Sequence, residues 1–341
     1  MLQLQPDDFK ETAIPLPYGY DWKTLDITDS NEIQRLSDFL GKSYSVDEDC
    51  SASLYYRPLI LEWILMPPNY EKDWHIGVEA NGQLVAFISA IPLQLQLGRV
   101  AEVNLLCIDR RLRSKHLSAI LISELTRRIG KSGCERALYS CGMPIDVTNL
   151  ISRMGKLIGE RISHIQCSKL GVAKYYNKSL KDAVYRNKIA FREMQEKDIK
   201  FISSTEGKMS MNWDVESIRH WLLPKDGIVK TYVKLDSDGN VDGYISYYLL
   251  NTIKRQDGET TAIVTYPYLF YHSGDGIDLM MRYMMHQLKL AGYGNIICSD
   301  IMNNEEMIKR LGFVNGKASL HYYGWNTPEI DSNSVIGIAM V

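Results

Sequence analysis

The sequence predicts an α/β protein in which one strand-and-helix unit occurs twice within a single compact body. Three observations carry this. A tight turn feeding an apolar strand appears as Asn81-Gly82-Gln83-Leu84-Val85-Ala86-Phe87-Ile88-Ser89 and again as Asp238-Gly239-Asn240-Val241-Asp242-Gly243-Tyr244-Ile245-Ser246. Each is followed by a second strand, a helix-spaced apolar run, a glycine stop and a third strand. The same interval separates Gly133 from Gly292, which end the two helices, and Ser140 from Ser299, in the strands behind them. Glycine suits a helix end because it accepts the left-handed conformation without penalty. A layout shared over a whole unit points to duplication.

In the first unit, apolar residues recur at helical spacing over 31–40 and 59–65, ahead of the turn. The apolar strand Ala101-Glu102-Val103-Asn104-Leu105-Leu106-Cys107-Ile108 then runs into the loop Leu112-Arg113-Ser114-Lys115-His116-Leu117-Ser118, which opens a helix over 119–129. Ser132-Gly133 stops it, and a strand reaches Ser140. In the second unit a helix over 215–222 precedes the turn, and a strand passes through Tyr268-Leu269-Phe270. A helix over 277–290 follows, then the stop Ala291-Gly292 and a strand to Ser299. The spacing predicts little regular structure over 143–163 and 254–260. The boundary between halves is set at 1–165 and 166–341.

The loop before the first helix carries the most specific chemistry. Backbone N–H groups at a helix start, with Arg113 and Lys115 beside them, form a ready site for phosphate. The preceding strand ends next to whatever that phosphate carries. This suits an acyl-CoA, with pyrophosphate on the loop and thioester at the strand; an ordinary solvated turn has the same composition.

The formal charge of -2 gives no reason to expect a nucleic-acid partner or a polybasic membrane anchor. The most apolar run, residues 59–66, is broken by Glu62 and too short to span a bilayer, so no integral membrane segment is expected. The polar, acidic start of the chain lacks a secretory pattern. Cys50, Cys107, Cys134, Cys141, Cys167 and Cys298 are scattered without metal-type spacing, so no metal is expected. These features lead to the expectation of a cytoplasmic monomer.

From about Leu16 to Val341 the chain resembles the glycylpeptide N-myristoyltransferase (N-tetradecanoyltransferase) family. The residues that carry the resemblance include Leu16-Pro17-Tyr18-Gly19-Tyr20-Asp21-Trp22, Trp74-His75-Ile76-Gly77-Val78 and Phe87-Ile88-Ser89-Ala90-Ile91-Pro92, with Tyr44, Pro58 and Trp63. In the second half they include His220-Trp221 with Pro224, Asp300-Ile301-Met302 and the stretch from Gly316 to Tyr322-Tyr323. The resemblance implies a duplicated fold related to the GCN5-related acyltransferases (GNAT-like), its two halves related by a pseudo-twofold. It assigns acyl-CoA binding to the first half and peptide binding to the second, whose tail returns to the active site. It also implies transfer of myristate from myristoyl-CoA to the N-terminal glycine of a peptide, with no cofactor besides that donor.

Three tasks follow from that chemistry. The thioester oxygen must be polarised as it gains charge; preorganised N–H donors do this, each worth ~3 kcal/mol. The resemblance places them on the backbone of Leu105 and Leu106. The CoA phosphates need anchoring, which it assigns to Arg113, Ser114, Lys115, His116, Leu117 and Ser118. The glycine ammonium must lose a proton, and with an α-amino pKa of about 8 a weak, well-placed base suffices. The resemblance implies that this base is the C-terminal carboxylate, here on Val341 after the apolar Gly337-Ile338-Ala339-Met340. Asn104 and Ser140 match positions that hold the amine. Tyr44, Asp47, Glu48, Asp49, Leu54 and Tyr271 match positions that receive the peptide.

The chain departs from the family pattern in three places. The segment before Leu16 is shorter than expected and lacks an aromatic pair covering the acyl-CoA. The stretch between Gly142 and Lys156 is also shorter, and Ala52 and Leu54 replace aromatic groove residues. Two alternatives therefore stand beside the leading reading: an acyltransferase of the same fold acting on another acyl chain or amine, and a pseudoenzyme that binds acyl-CoA or peptide without turnover.

Overall fold

The computed structural model describes residues 3–44, 52–158, 167–186, 188–202, 209–256, 259–328 and 336–339. Its first half runs β1 (Asp21–Thr24), α1 (Ser30–Ser43), β2 (Ala52–Tyr55), α2 (Pro58–Leu65), β3 (Ile76–Ala80), β4 (Gln83–Leu95), β5 (Gly98–Ile108), α3 (Leu117–Lys131), β6 (Ala137–Cys141) and α4 (Val147–Ile158). The chain continues through β7 (Cys167–Ser179), β8 (Phe191–Glu193), α5 (Val215–Trp221), β9 (Val229–Leu235), β10 (Val241–Gln256) and β11 (Glu259–Gly274). It closes with α6 (Ile277–Leu290), β12 (Asn295–Ser299), α7 (Glu305–Arg310) and β13 (Val314–Trp325).

The repeat is visible down to single hydrogen bonds. After α3, Gly133 (φ 76°) and Cys134 donate to the carbonyls of Gly130 and Ile129; after α6, Gly292 (φ 87°) and Tyr293 donate to those of Lys289 and Leu288. Both are the same helix stop, in which a left-handed residue turns the chain back onto its last turn. Asn81 and Gly82 both take positive φ, which matches the right-handed twist of the β3–β4 hairpin.

The strands join into one sheet in the order β1-β3-β4-β5-β6-β13-β7-β12-β11-β10-β9-β8, with β2 added against β10. Two long strands join the halves: β7 pairs with β12, β13 returns to pair with β6, and β7 and β13 pair with each other at the centre. Trp63 on α2 and His220 on α5 tie the helices across the same junction. Each ring N–H donates to the other's backbone carbonyl, from Trp63 Nε1 at 2.9 Å and from His220 Nε2 at 2.8 Å.

Two expectations are corrected here. Residues 143–163 contain the helix α4, whose Leu150, Ile151, Met154 and Ile158 form one apolar stripe against the core. Residues 254–256 end β10 and residues 259–260 begin β11, paired through Arg255↔Thr260 and Gln256↔Glu259. The short segment before Leu16 is also well packed: Leu4, Phe9 and Ile14 are buried, and Phe9 sits so close to Gly130 that a Cβ there would overlap its ring. The Ile14 N–H donates to Glu124, a fully buried carboxylate on α3 that Arg127 and Arg128 neutralise. No described helix is long and apolar enough to cross a membrane.

Candidate active site

β5 and β6 run parallel, and their pairing stops at Val103↔Tyr139. Beyond that rung the strands part. The residues that follow, Asn104, Leu105 and Leu106 on one side and Ser140, Cys141 and Gly142 on the other, line a cavity of about 860 Å³, a size that suits a small-molecule site. The β4–β5 register also slips here, between Phe87↔Cys107 and Ser89↔Asn104. Leu105 takes a left-handed φ of 53° in this bulge, which costs a non-glycine residue about 1 kcal/mol or more.

An apolar arm of the cavity runs between the sheet and α3, walled by Ile88, Leu125, Ile129 and Trp325, with Met154 and Ile158 of α4 closing it. Tyr44, Leu54, Leu250 and Tyr268 also line the cavity, where the two halves meet. Burial pushes the Tyr44 phenol up to about 12, so it stays a neutral hydrogen-bonding group. Asn104 accepts from the Ser89 hydroxyl at 2.5 Å, which fixes its amide, and its Nδ2 is buried without a partner among the described residues. Such a group is available to a ligand.

The basic loop is a short 3-10 helix, Arg110–Lys115, leading to His116 in a left-handed conformation (φ 57°) ahead of α3. Arg113 lines the cavity but turns its guanidinium inward, donating to the carbonyls of Ile108 and Ser43. Arg111 is held by Asp109. His116 instead meets Arg153 of α4, 3.1 Å from its Nδ1, so the shortened segment brings its own cation to the loop. Ser118 lines the cavity and Leu117 is buried beneath it; the side chains of Ser114 and Lys115 lie outside the described residues.

The tail turns inward. The Ile336 carbonyl accepts from Met302 N–H at 2.9 Å, and Gly337 N–H donates to Met209 O at 3.0 Å. Ser210 leaves no room for a Cβ at Gly337. Ile338 and Ala339 are buried in the core cluster that holds Leu105, Leu138 and Tyr271. Tyr271 is not a lining residue; its hydroxyl accepts from Ala339 N–H at 3.3 Å. Val341, with Asp47, Glu48 and Asp49, lies outside the described residues.

The geometry thus gathers Asn104, Leu105, Leu106, Ser140, Arg113, Ser118, Tyr44 and Leu54 around one cavity. Sequence reasoning missed the α4 wall and Arg153.

The model of the family described as myristoyl-CoA:protein N-myristoyltransferase matches twice, its N-terminal domain over residues 2–150 and its C-terminal domain over residues 171–336. The chain belongs to the N-myristoyltransferase family. Glycylpeptide N-tetradecanoyltransferase of Drosophila melanogaster is 31% identical over 357 residues, covering 96% of this chain and 74% of that relative. Glycylpeptide N-tetradecanoyltransferase 2 of Danio rerio is 28% identical over 356 residues, covering 97% and 72%. Saccharomyces cerevisiae N-myristoyltransferase with bound myristoyl-CoA superposes with a TM-score of 0.82 over 99% of this chain and 93% of that one. At 20% identity, that likeness concerns the family's mixed α/β fold.

Proposed function

We propose that this protein transfers the myristoyl group of myristoyl-CoA to the N-terminal glycine amine of peptides and proteins. The observation that carries the reading is the parted β5–β6 pair, which opens a bulged backbone onto a cavity with one apolar arm. The acyl chain occupies that arm, which places its thioester at Leu105 and Leu106, and their N–H groups receive the carbonyl oxygen. The phosphates lie on residues 113–118 at the start of α3. The peptide enters between Tyr44 and Leu54, and Asn104 and Ser140 hold its amine.

Once the ammonium has lost one proton, the amine lone pair attacks the thioester carbon to form the C–N bond. The C–S bond breaks, and the second proton shed by the nitrogen neutralises the departing CoA thiolate. The proton lost by the ammonium goes to the Val341 carboxylate. Support for this base is the inward path of residues 336–339 toward Tyr271 and Leu105. Burial there raises the basicity of a carboxylate. Glycine is required at the first position because a side chain would collide with the β5 bulge and misplace the amine.

The test is CoA release from myristoyl-CoA with a Gly-first octapeptide, its Ala-first counterpart, and protein extended beyond Val341. The Gly-first peptide should turn over and the Ala-first peptide should not. The extended protein should bind acyl-CoA normally but lose about 10²–10⁴-fold in the single-turnover rate. Unchanged turnover after extension excludes Val341 as the base. Acyl-CoA binding with no release for either peptide identifies a pseudoenzyme.

A further inference from the structure

The basic loop and α4 meet through His116 and Arg153, with one terminal guanidinium nitrogen 3.1 Å from His116 Nδ1. A guanidinium carries donors and no acceptor, so the ring nitrogen that faces it accepts. That leaves the imidazole neutral, with its proton on Nε2 at the other side of the ring. A neutral ring takes one N–H of Arg153 and cancels none of its charge, which a guanidinium keeps at any physiological pH. Arg153 has no carboxylate partner among the described residues. Its neighbours on the loop are already engaged: Asp109 neutralises Arg111, and the Ile108 and Ser43 carbonyls occupy Arg113.

The helix that bears Arg153 fixes its place. Asn149 N–H donates to Asp146 Oδ1 at 3.0 Å, which caps α4 at its start, and Met154 and Ile158 are buried on its inner face. Arg153 and His116 are both exposed, and neither lines the cavity, whereas Arg113 and Ser118 to either side of His116 do. The two side chains therefore stand outside the cavity, on the solvent side of the loop. An acyl-CoA laid with its thioester at the parted strands and its diphosphate on the loop has one anionic group left over. This is the 3′-phosphate monoester of its ribose, at the end of the donor farthest from the thioester. Its terminal oxygens suit a planar guanidinium fork and an imidazole N–H.

We propose that Arg153, with the Nε2–H of His116, binds the 3′-phosphate monoester of the acyl-CoA. This rests on the acyl-CoA reading above and adds which part of the donor α4 recognises. Arg153 is a binding group, remote from the reacting atoms.

The experiment uses the full chain without peptide, and a thioether analogue of myristoyl-CoA with and without its 3′-phosphate. Calorimetry gives the affinity of both for wild type, Arg153→Gln and Arg153→Lys. Wild type should bind the 3′-phosphorylated analogue about tenfold or more tightly than the dephospho form, the scale of a charged hydrogen bond. Arg153→Gln should lose most of that preference, while its affinity for the dephospho analogue changes less than about twofold. Arg153→Lys, which keeps the charge without the fork, should fall between. Equal losses for both analogues in Arg153→Gln would mean that Arg153 meets the diphosphate or only positions the loop, and overturn the proposal. An unchanged preference overturns it too, as does a wild-type preference below about twofold, which needs no variant. Should Arg153→Gln not fold, Arg153→Lys decides: a preference equal to that of wild type overturns the proposal, and a reduced one upholds it. Failure of wild type to bind either analogue would instead overturn the acyl-CoA reading.

Discussion

The two halves share one plan, but one is hollow and the other is filled. In both, the hairpin register slips at the same step, between Phe87 and Ser89 in β4 and between Ile245 and Tyr247 in β10. The slip leaves Leu105-Leu106 bulged in β5 and Phe270-Tyr271 bulged in β11. Opposite the second bulge stands Ser246, whose hydroxyl accepts from Tyr271 N–H and donates to Tyr271 O, both at 2.9 Å. Opposite the first stands Ile88, a hydrocarbon that lines the cavity and offers no hydrogen bond. The helices differ in the same sense. Met280, Met281, Met284 and Met285 of α6 are buried in a closed cluster, and no described residue of α6 lines the cavity. Ile122, Leu125, Thr126 and Ile129 of α3 face it. Unbranched methionine fills irregular space readily, whereas the stiffer β-branched side chains on α3 leave a gap. A duplicated fold can thus leave the bulge open in one copy and close it in the other.

The comparison breaks most sharply if filling and emptying are exchanged. Ile122→Trp should block the apolar arm and weaken acyl-CoA binding by 100-fold or more, with little change in melting temperature. Met284→Ala should do the opposite, costing about 2–5 kcal/mol of stability through the cavity it leaves, with acyl-CoA affinity retained. Calorimetric titration and thermal melts check both, and a crossed result would mean that the halves are not specialised in this way.

Acid should act on both halves together. Burial pushes His75 down to about 4, against a smaller opposing effect of the Leu65 backbone. Burial, with nearby Lys225, pushes His220 to about 4 against its bond to the Trp63 carbonyl. Their folded pKa values lie below the unfolded value of about 6.5, so folding favours the neutral rings. That stability is complete above pH 6.5 and is lost as pH falls toward 4, by about 2 kcal/mol for each histidine at pH 5. Denaturant titrations across this range should show the loss, and His220→Gln should flatten part of it. A flat profile from pH 7 to 5 would exclude this account.

A smaller effect sharpens the contrast between the bulges. Ser246→Ala should leave the buried Tyr271 N–H unmet and cost about 1–2 kcal/mol of stability, with acyl-CoA binding unchanged. Ile88→Ser should place a hydroxyl at the open bulge, where it competes for the Leu105 and Leu106 N–H groups. Its rate should fall while its stability changes little, as single-turnover kinetics and melts would show. If Ile88→Ser left the rate untouched, those N–H groups would not be the donors to the substrate.

The sequence alone determined what is local. Gly133 and Gly292 stop their helices in the same left-handed turn, because the bonds to Ile129 and Leu288 require only neighbouring residues. Asn81-Gly82 sets its hairpin for the same reason. The strand at Asn104, the basic loop and the start of α3 were legible because apolar run, charges and helix spacing all fall within about twenty residues.

What depends on distant segments was decided only in three dimensions. β13 crosses back to β6 and β7 joins β12, a choice made by sheet pairing between residues far apart in the chain. Residues 147–158 became a helix because their apolar stripe found the open side of the cavity to cover. Arg113 stands on the basic loop at the cavity, where the sequence put it, but only the fold shows that the Ile108 and Ser43 carbonyls hold its guanidinium and that α4 brings Arg153 beside His116. Glu102 read as one acid in a strand. Only the fold shows that it is buried between β4 and β6 at the cavity, and a charge takes its energy from surroundings that the fold sets.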